Sequence, residues 1–108
     1  MKFMVQETPV SKRITLIQKE NYSVDLEYTG TVAIIHLPRV SKFTKDVYLD
    51  MTLTIKDIWE FLSTINYTEL FAGVPEDDKL VAKLAKKMGF IYLGNSQGVD
   101  VYQYKEYL

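Results

Sequence analysis

The stretch KLAKKMGFIYLG, residues 83–94, constrains the fold more than any other part of this sequence. Leu84 and Met88 lie four residues apart among lysines, which is the spacing of a helix that buries one side. Gly89 follows where a helix commonly ends, and an apolar run with strand character begins at the next residue. A helix that leads directly into a strand packs on a sheet. The stretch therefore predicts a sheet covered by helix.

Composition narrows the class of protein. The 108 residues, of which 47% are hydrophobic, predict a single domain over 1–108. Cysteine is absent and His36 is the single histidine, so we expect no disulfide and no metal site, and we interpret His36 as structural. A net charge of -1 argues against nucleic acid or a membrane surface as partner. No apolar run is long enough to span a bilayer, and the absence of cysteine fits a reducing compartment, so we expect a soluble, cytoplasmic protein.

The first half of the chain is dominated by two-residue alternation. It predicts a strand over Lys12–Gln18, where a short helix fits almost as well. A hairpin follows, with residues 23–28 and 31–37 on either side of a turn at Thr29-Gly30. The stretch VYLDMTL, residues 47–53, alternates in the same way and predicts another strand.

Two helices and three more strands are predicted in the second half. The apolar spacing lengthens at Thr54, which predicts a helix capped by Thr54 with Asp57 in its first turn. Residues 67–74 predict a buried strand, and a second helix begins after Pro75. The segments FIYLG and VDVYQY flank NSQG and predict a C-terminal hairpin. We expect an α+β fold with a mixed, largely antiparallel sheet covered by two helices, in which the strands at 47–53 and 67–74 are parallel.

The segment LFAGVPEDDKLVAKLAKKMGFIYLG resembles the C-terminal part of the GNAT superfamily of N-acetyltransferases. In that superfamily a strand leads into a helix that stops at a Gly-Phe pair before the next strand, and Gly89-Phe90 stands at this pair. The order of the predicted elements extends the resemblance to roughly residues 23–104. Within the superfamily, the chain is similar to short phage-encoded proteins.

The resemblance implies where acetyl-CoA and catalytic groups would lie. In the family a glycine-rich turn between the third strand and the following helix binds the pyrophosphate through backbone amides. On the predicted elements this turn falls at Thr54, Ile55 and Lys56, in the stretch MTLTIKDIW, which contains neither glycine nor arginine. The family often places a tyrosine, as a proton donor, four residues before the helix-ending glycine, and Ala85 occupies that position. We therefore expect no catalytic residue and no cofactor.

The expected function is binding of a protein partner by a degenerate, non-catalytic GNAT-like protein, as a host-directed inhibitor or a virion component. The alternative is a minimal acetyl-CoA-dependent N-acetyltransferase with an atypical cofactor loop. Tyr102 and Tyr104 are predicted to face outward and bind the partner, with Lys83 and Lys87 on the second helix. Two simpler interpretations remain for these residues: the helices cover the tyrosines, and the lysines form a solvated helix face.

Overall fold

The computed structural model describes residues 12–105, which form six strands and two helices. The strands are β1 (Lys12–Gln18), β2 (Tyr22–Thr29), β3 (Val32–Val40), β4 (Glu69–Pro75), β5 (Phe90–Ser96) and β6 (Val99–Tyr104). The helices are α1 (Lys45–Thr64) and α2 (Lys79–Lys87). All six strands belong to one sheet in the order β1-β2-β3-β4-β6-β5. The predicted α+β class, with a mixed sheet and two helices, is confirmed.

One parallel pair, β3 with β4, interrupts this otherwise antiparallel sheet. The parallel register covers only Val32–Ile35 against Glu69–Ala72. Beyond Ile35, β3 pairs only with β2, and beyond Ala72, β4 pairs only with β6. The two strands therefore separate toward their C-terminal ends, the edge of a sheet at which α/β proteins most often bind ligands.

The predicted strand at 47–53 is wrong, because these residues form the first half of α1. Thr44 rather than Thr54 is the N-cap, and its hydroxyl accepts a hydrogen bond from the Val47 amide at 3.3 Å. The strand prediction required Leu53 to point inward, whereas this side chain is 62% exposed. β3 therefore takes the place of the predicted strand as the parallel neighbour of β4.

Helical spacing accounts for the whole of α1. Its buried residues recur at intervals of three and four from the first turn to the last. They are Val47, Met51, Thr54, Ile55, Ile58 and Leu62. All of them except Thr54 belong to the same core cluster as the buried residues of α2 and alternate residues of the central strands. Both helices therefore cover one face of the sheet.

The C-terminal elements follow the prediction closely. The Asp78 carboxylate accepts a hydrogen bond from the Val81 amide at 3.1 Å and begins α2. Gly89 has a φ of 101°, the left-handed conformation that ends a helix and favours glycine. The β5–β6 turn has positive φ angles at Gln97 and Gly98, as tight hairpin turns require. Lys12–Gln18 is a strand, so the helical alternative for this segment is wrong.

Tyr102 and Tyr104 face the helices, and the prediction that they face outward is wrong. Tyr102 is paired across the sheet with Ala72, which lies on the covered face. Their exposed fractions are 2% and 1%, respectively, and burial raises the pKa of Tyr102. The Tyr104 ring packs against Phe90 with 5.1 Å between centroids. These rings are therefore part of the core.

Candidate functional site

A cleft of about 410 Å³ opens between the first turns of α1 and one side of α2. Its α1 wall carries Thr44, Lys45, Val47, Tyr48 and Met51, and its α2 wall carries Leu80, Lys83, Leu84 and Lys87. Lys42 and Phe43, from the connection between β3 and α1, complete it. We call this site the lysine cleft. Four residues of each wall have the spacing i, i+3, i+4, i+7, so the cleft is a groove between two helix faces.

The lysine cleft is basic at its rim and apolar at its base. Lys42, Lys45, Lys83 and Lys87 are exposed, and no acidic residue of the described part of the chain lines the cleft. None of the four lysines forms an ion pair with another residue of the described range 12–105. The base is formed by Val47, Met51 and Leu84, which belong to the core cluster. The cleft therefore suits a ligand that combines negative charge with apolar surface.

Two directional polar groups of the cleft are already engaged within the protein. The Thr44 hydroxyl accepts its hydrogen bond from the Val47 amide. The Tyr48 hydroxyl donates to the main-chain carbonyl of Lys87 at 3.0 Å, which ties α1 to the end of α2. The remaining polar side chains are lysines, whose ammonium groups act as mobile point charges. The cleft is therefore better suited to recognising charge than a fixed hydrogen-bonding pattern.

The predicted cofactor residues do not lie at a helix terminus. Thr54 and Ile55 are buried in the middle of α1, and Lys56 follows them on its exposed side. Amides at such positions are engaged in helical hydrogen bonds and cannot bind a pyrophosphate. The connection from the third strand to the helix is instead residues 41–44, at the edge of the lysine cleft. The placement of the cofactor candidates is wrong for this reason.

The predicted partner-binding residues fall into two groups. Lys83 and Lys87 line the cleft, whereas Tyr102 and Tyr104 are in the core. Sequence reasoning missed Lys42 and Lys45, which the structure places opposite the α2 lysines. The signal was the basic stretch SKFTK, which directly follows β3 and contains the N-cap.

A polar network ties the β1–β2 turn to α1 outside the cleft. Tyr22 is 2% exposed and donates a hydrogen bond to an Asp50 carboxylate oxygen at 2.6 Å. The Lys19 ammonium lies 2.9 Å from the same oxygen, and the Thr54 hydroxyl lies 3.0 Å from the Tyr22 hydroxyl. The Arg39 guanidinium donates to the carbonyls of Lys19 and Glu20 in the same turn. Thr54 therefore has a structural role in place of the predicted cofactor role.

The network shifts three pKa values. Hydrogen bonds from Tyr22 and then Lys19 lower the pKa of Asp50, so its contribution to stability is present above about pH 4 and is lost as the pH falls through the lowered pKa. Burial raises the pKa of Tyr22, and the Asp50 hydrogen bond raises that of Lys19. Tyr22 and Lys19 therefore contribute fully to the stability of the fold below about pH 10. These contributions are lost as the pH rises through the raised pKa values of the two groups.

We predict that Tyr22→Phe lowers the free energy of unfolding by about 1–2 kcal/mol at neutral pH, because it removes a hydrogen bond to a carboxylate. The variant should also lose less stability than the parent toward both acid and alkaline pH. Urea unfolding at about pH 3, 7 and 10.5 measures both effects. Tyr28→Phe on the same strand is the control, since no hydrogen bond involves its hydroxyl within residues 12–105. Identical pH profiles for the two variants would contradict the role of Tyr22.

His36 makes a cross-strand contact on the sheet face opposite the buried Ile35. Its Nε2 atom lies 2.8 Å from the Oε1 carboxylate oxygen of Glu27 on β2. The ring lies over Gly73, where a Cβ would be 3.5 Å from Cε1. These contacts support a structural interpretation of the histidine. Among residues 12–105, no three histidine, aspartate or glutamate side chains are grouped closely enough to hold a metal ion.

Neither α1 nor α2, the helices of the described part of the chain, is long and apolar enough to cross a membrane. Comparison with protein-family models, curated proteins and solved structures gives no match for this chain. The lysine cleft is therefore the feature of the described residues from which a function can be inferred.

Proposed function

We propose that the protein is a non-catalytic, GNAT-like binding protein that holds a protein partner in the lysine cleft. The single observation that carries this proposal is the composition of the cleft. Four lysines surround an apolar base, and within residues 12–105 none of them has an ion-pair partner and no acidic residue lines the cleft. A protein segment that carries both carboxylates and apolar side chains satisfies both features.

The arrangement of the elements supports the GNAT-like part of the proposal. A strand, β4, leads into α2, and α2 ends at Gly89-Phe90 before β5, in the order on which the resemblance rests. The position that the family often gives to a tyrosine is Ala85, which is 2% exposed and has no proton to donate. The scaffold is therefore proposed to act by binding, as an inhibitor or a virion component, without acetyl transfer.

One observation favours acetyl-CoA as a second candidate ligand. Residues 41–44 connect the third strand of the chain to the helix, which is where the family binds the pyrophosphate, and Lys42 and Lys45 provide positive charge there. The connection contains no glycine, so its amides have little freedom to converge on one phosphate group. Asp46 in the first turn of α1 adds a negative charge beside the site.

Calorimetric titration separates the two candidates. We expect acetyl-CoA and CoA to bind more weakly than about 10 μM, a free energy of roughly -7 kcal/mol. Tighter binding that is lost in Lys42→Ala/Lys45→Ala would replace the proposal with the acetyltransferase alternative. Lys79→Ala/Lys86→Ala is the matched control, because these lysines lie outside the cleft.

Affinity capture from a bacterial lysate tests partner binding directly. The wild-type protein and the control Lys79→Glu/Lys86→Glu are expected to retain the same proteins. Lys83→Glu/Lys87→Glu is expected to lose them, because it reverses half of the positive charge of the cleft. Equal capture by all three proteins would show that the cleft is not the binding site.

A further inference from the structure

We infer that the partner places an acidic amphipathic α-helix in the lysine cleft, an inference that rests on the proposed function. The shape of the cleft is the first argument. Its two walls are helix faces, with the spacing 44, 47, 48, 51 on α1 and 80, 83, 84, 87 on α2. The groove between two helices accepts the side-chain ridge of a third. Binding of an amphipathic helix in an apolar groove is a common mode of peptide recognition.

The length of the cleft is the second argument. The α2 wall runs from Leu80 to Lys87, which at about 1.5 Å per residue is roughly 10 Å. This distance corresponds to about two turns of a bound helix. Apolar residues at i, i+3 or i+4 and i+7 of such a helix would cover the base formed by Val47, Met51 and Leu84.

Apolar side chains at the rim favour a peptide over a small ligand. Phe43 is 47% exposed and Leu80 is 60% exposed, and they come from the two sides of the cleft. A small ligand seated at the base would leave much of both side chains in water. A helix seated across the rim would bury both, and buried aromatic and aliphatic anchors supply most of the affinity of such interfaces.

The charge pattern defines the chemistry of the bound helix. Lys83 and Lys87 are one turn apart on α2, and Lys42 and Lys45 lie on the opposite side. Glutamates or aspartates on both flanks of the apolar stripe would meet a lysine on each wall. Exposed lysines tolerate many carboxylate positions, so net charge and the apolar stripe determine selectivity.

The test uses a fluorescent peptide of about 14 residues, with leucines in a helical stripe and glutamates on both flanks. A second peptide has the same composition in scrambled order, so that no stripe forms. A third replaces a central residue of the first with proline, which breaks a helix. Anisotropy gives the dissociation constants, and amide chemical shifts identify the residues that the peptide contacts.

The helical peptide is expected to bind at least about tenfold more tightly than the scrambled and proline peptides, a difference of about 1.4 kcal/mol or more. Its amide shifts should fall within 42–51 and 80–87. Lys83→Glu/Lys87→Glu should weaken binding at least about tenfold, and Lys79→Glu/Lys86→Glu by less than about threefold. Each double variant changes one lysine in the last turn of α2, so both lose one favourable charge at the C-terminus of the helix.

The possible outcomes distinguish the inference of a bound helix from the proposed function, the binding of a protein partner in the lysine cleft. Equal binding of all three peptides in the cleft would overturn the helical inference and leave an acidic protein partner in place. If none of the peptides binds while acetyl-CoA binds in the cleft, both the inference and the proposed function are wrong. Amide shifts on another surface, with no effect of Lys83→Glu/Lys87→Glu, would also overturn both. Circular dichroism of each variant confirms that lost binding does not reflect lost folding.

Discussion

Replacing Tyr104 with serine is expected to lower the free energy of unfolding by about 3–5 kcal/mol. The side chain is 1% exposed, and its ring packs against Phe90 on the face of the sheet that the helices cover. Truncation removes the ring and leaves a cavity that neighbouring strands cannot fill without moving. A loss of this size is a large fraction of the stability of a domain of this length. Urea unfolding, followed by far-UV circular dichroism, measures it.

Tyr92→Ser is the matched control for this prediction. Tyr92 lies on the same hairpin, but it is 49% exposed and meets Tyr102 edge-on with 5.5 Å between centroids. We expect Tyr92→Ser to lower the free energy of unfolding by about 1 kcal/mol or less. Similar losses for Tyr92→Ser and Tyr104→Ser would restore an outward position for Tyr104. If Tyr104→Ser does not fold, Tyr104→Leu retains much of the buried volume and should yield a folded, less destabilised protein.

The orientation of the C-terminal hairpin shows what the sequence leaves open. Two-residue alternation correctly separates Val99 and Val101 from Tyr102 and Tyr104 in β6. It does not say which set faces the helices, because both sets are apolar enough to be buried. The answer depends on β6 lying between β4 and β5, where Tyr102 is the neighbour of Ala72. Sheet order is a long-range property that no single strand encodes.

Local signals were sufficient where residues with special conformations mark the boundaries. Asp78 begins α2, Gly89 ends it, and Gln97-Gly98 forms the hairpin turn, all close to the predicted positions. Each of these residues supplies a cap or a positive φ angle that few others provide. The C-terminal third of the fold was therefore predictable from short-range chemistry.

The sequence predicts a strand in the first half of α1 because two periodicities compete there. Val47 and Met51 fit a strand alternation and a helix stripe equally well. Thr44 and Thr54 are both acceptable N-caps, and each is followed by an aspartate. The stripe continues without interruption from Val47 to Leu62, and a window of this length would have favoured the helix.

The predicted strand also displaces the candidate site. If the helix began at Thr54, the anion site would lie at residues that the structure places in mid-helix. With the helix beginning after Thr44, the basic stretch that contains Lys42 and Lys45 becomes one side of the lysine cleft. The opposing pair, Lys83 and Lys87, was predictable as an exposed strip, but its pairing with α1 is a tertiary contact.

Leu53→Pro tests the extent of α1 and is expected to cost about 3 kcal/mol or more. Position 53 lies near the middle of the 20-residue helix, where proline removes a backbone hydrogen bond and clashes with the preceding turn. The side chain is 62% exposed, so the loss of the leucine itself contributes little. Urea unfolding gives the free energy, and a reduced helical signal in circular dichroism would accompany it.

Leu53→Ala separates the backbone effect from the side-chain effect. In the helix, alanine at this exposed position is expected to change stability by no more than about 0.5 kcal/mol, because alanine has the highest helix propensity. In the strand that the alternation predicted, Leu53 would point into the core, and the same change would cost about 2–5 kcal/mol. A large loss of stability in Leu53→Ala would therefore contradict the helical conformation of residues 45–53. It would also contradict the first turns of α1 as one wall of the lysine cleft.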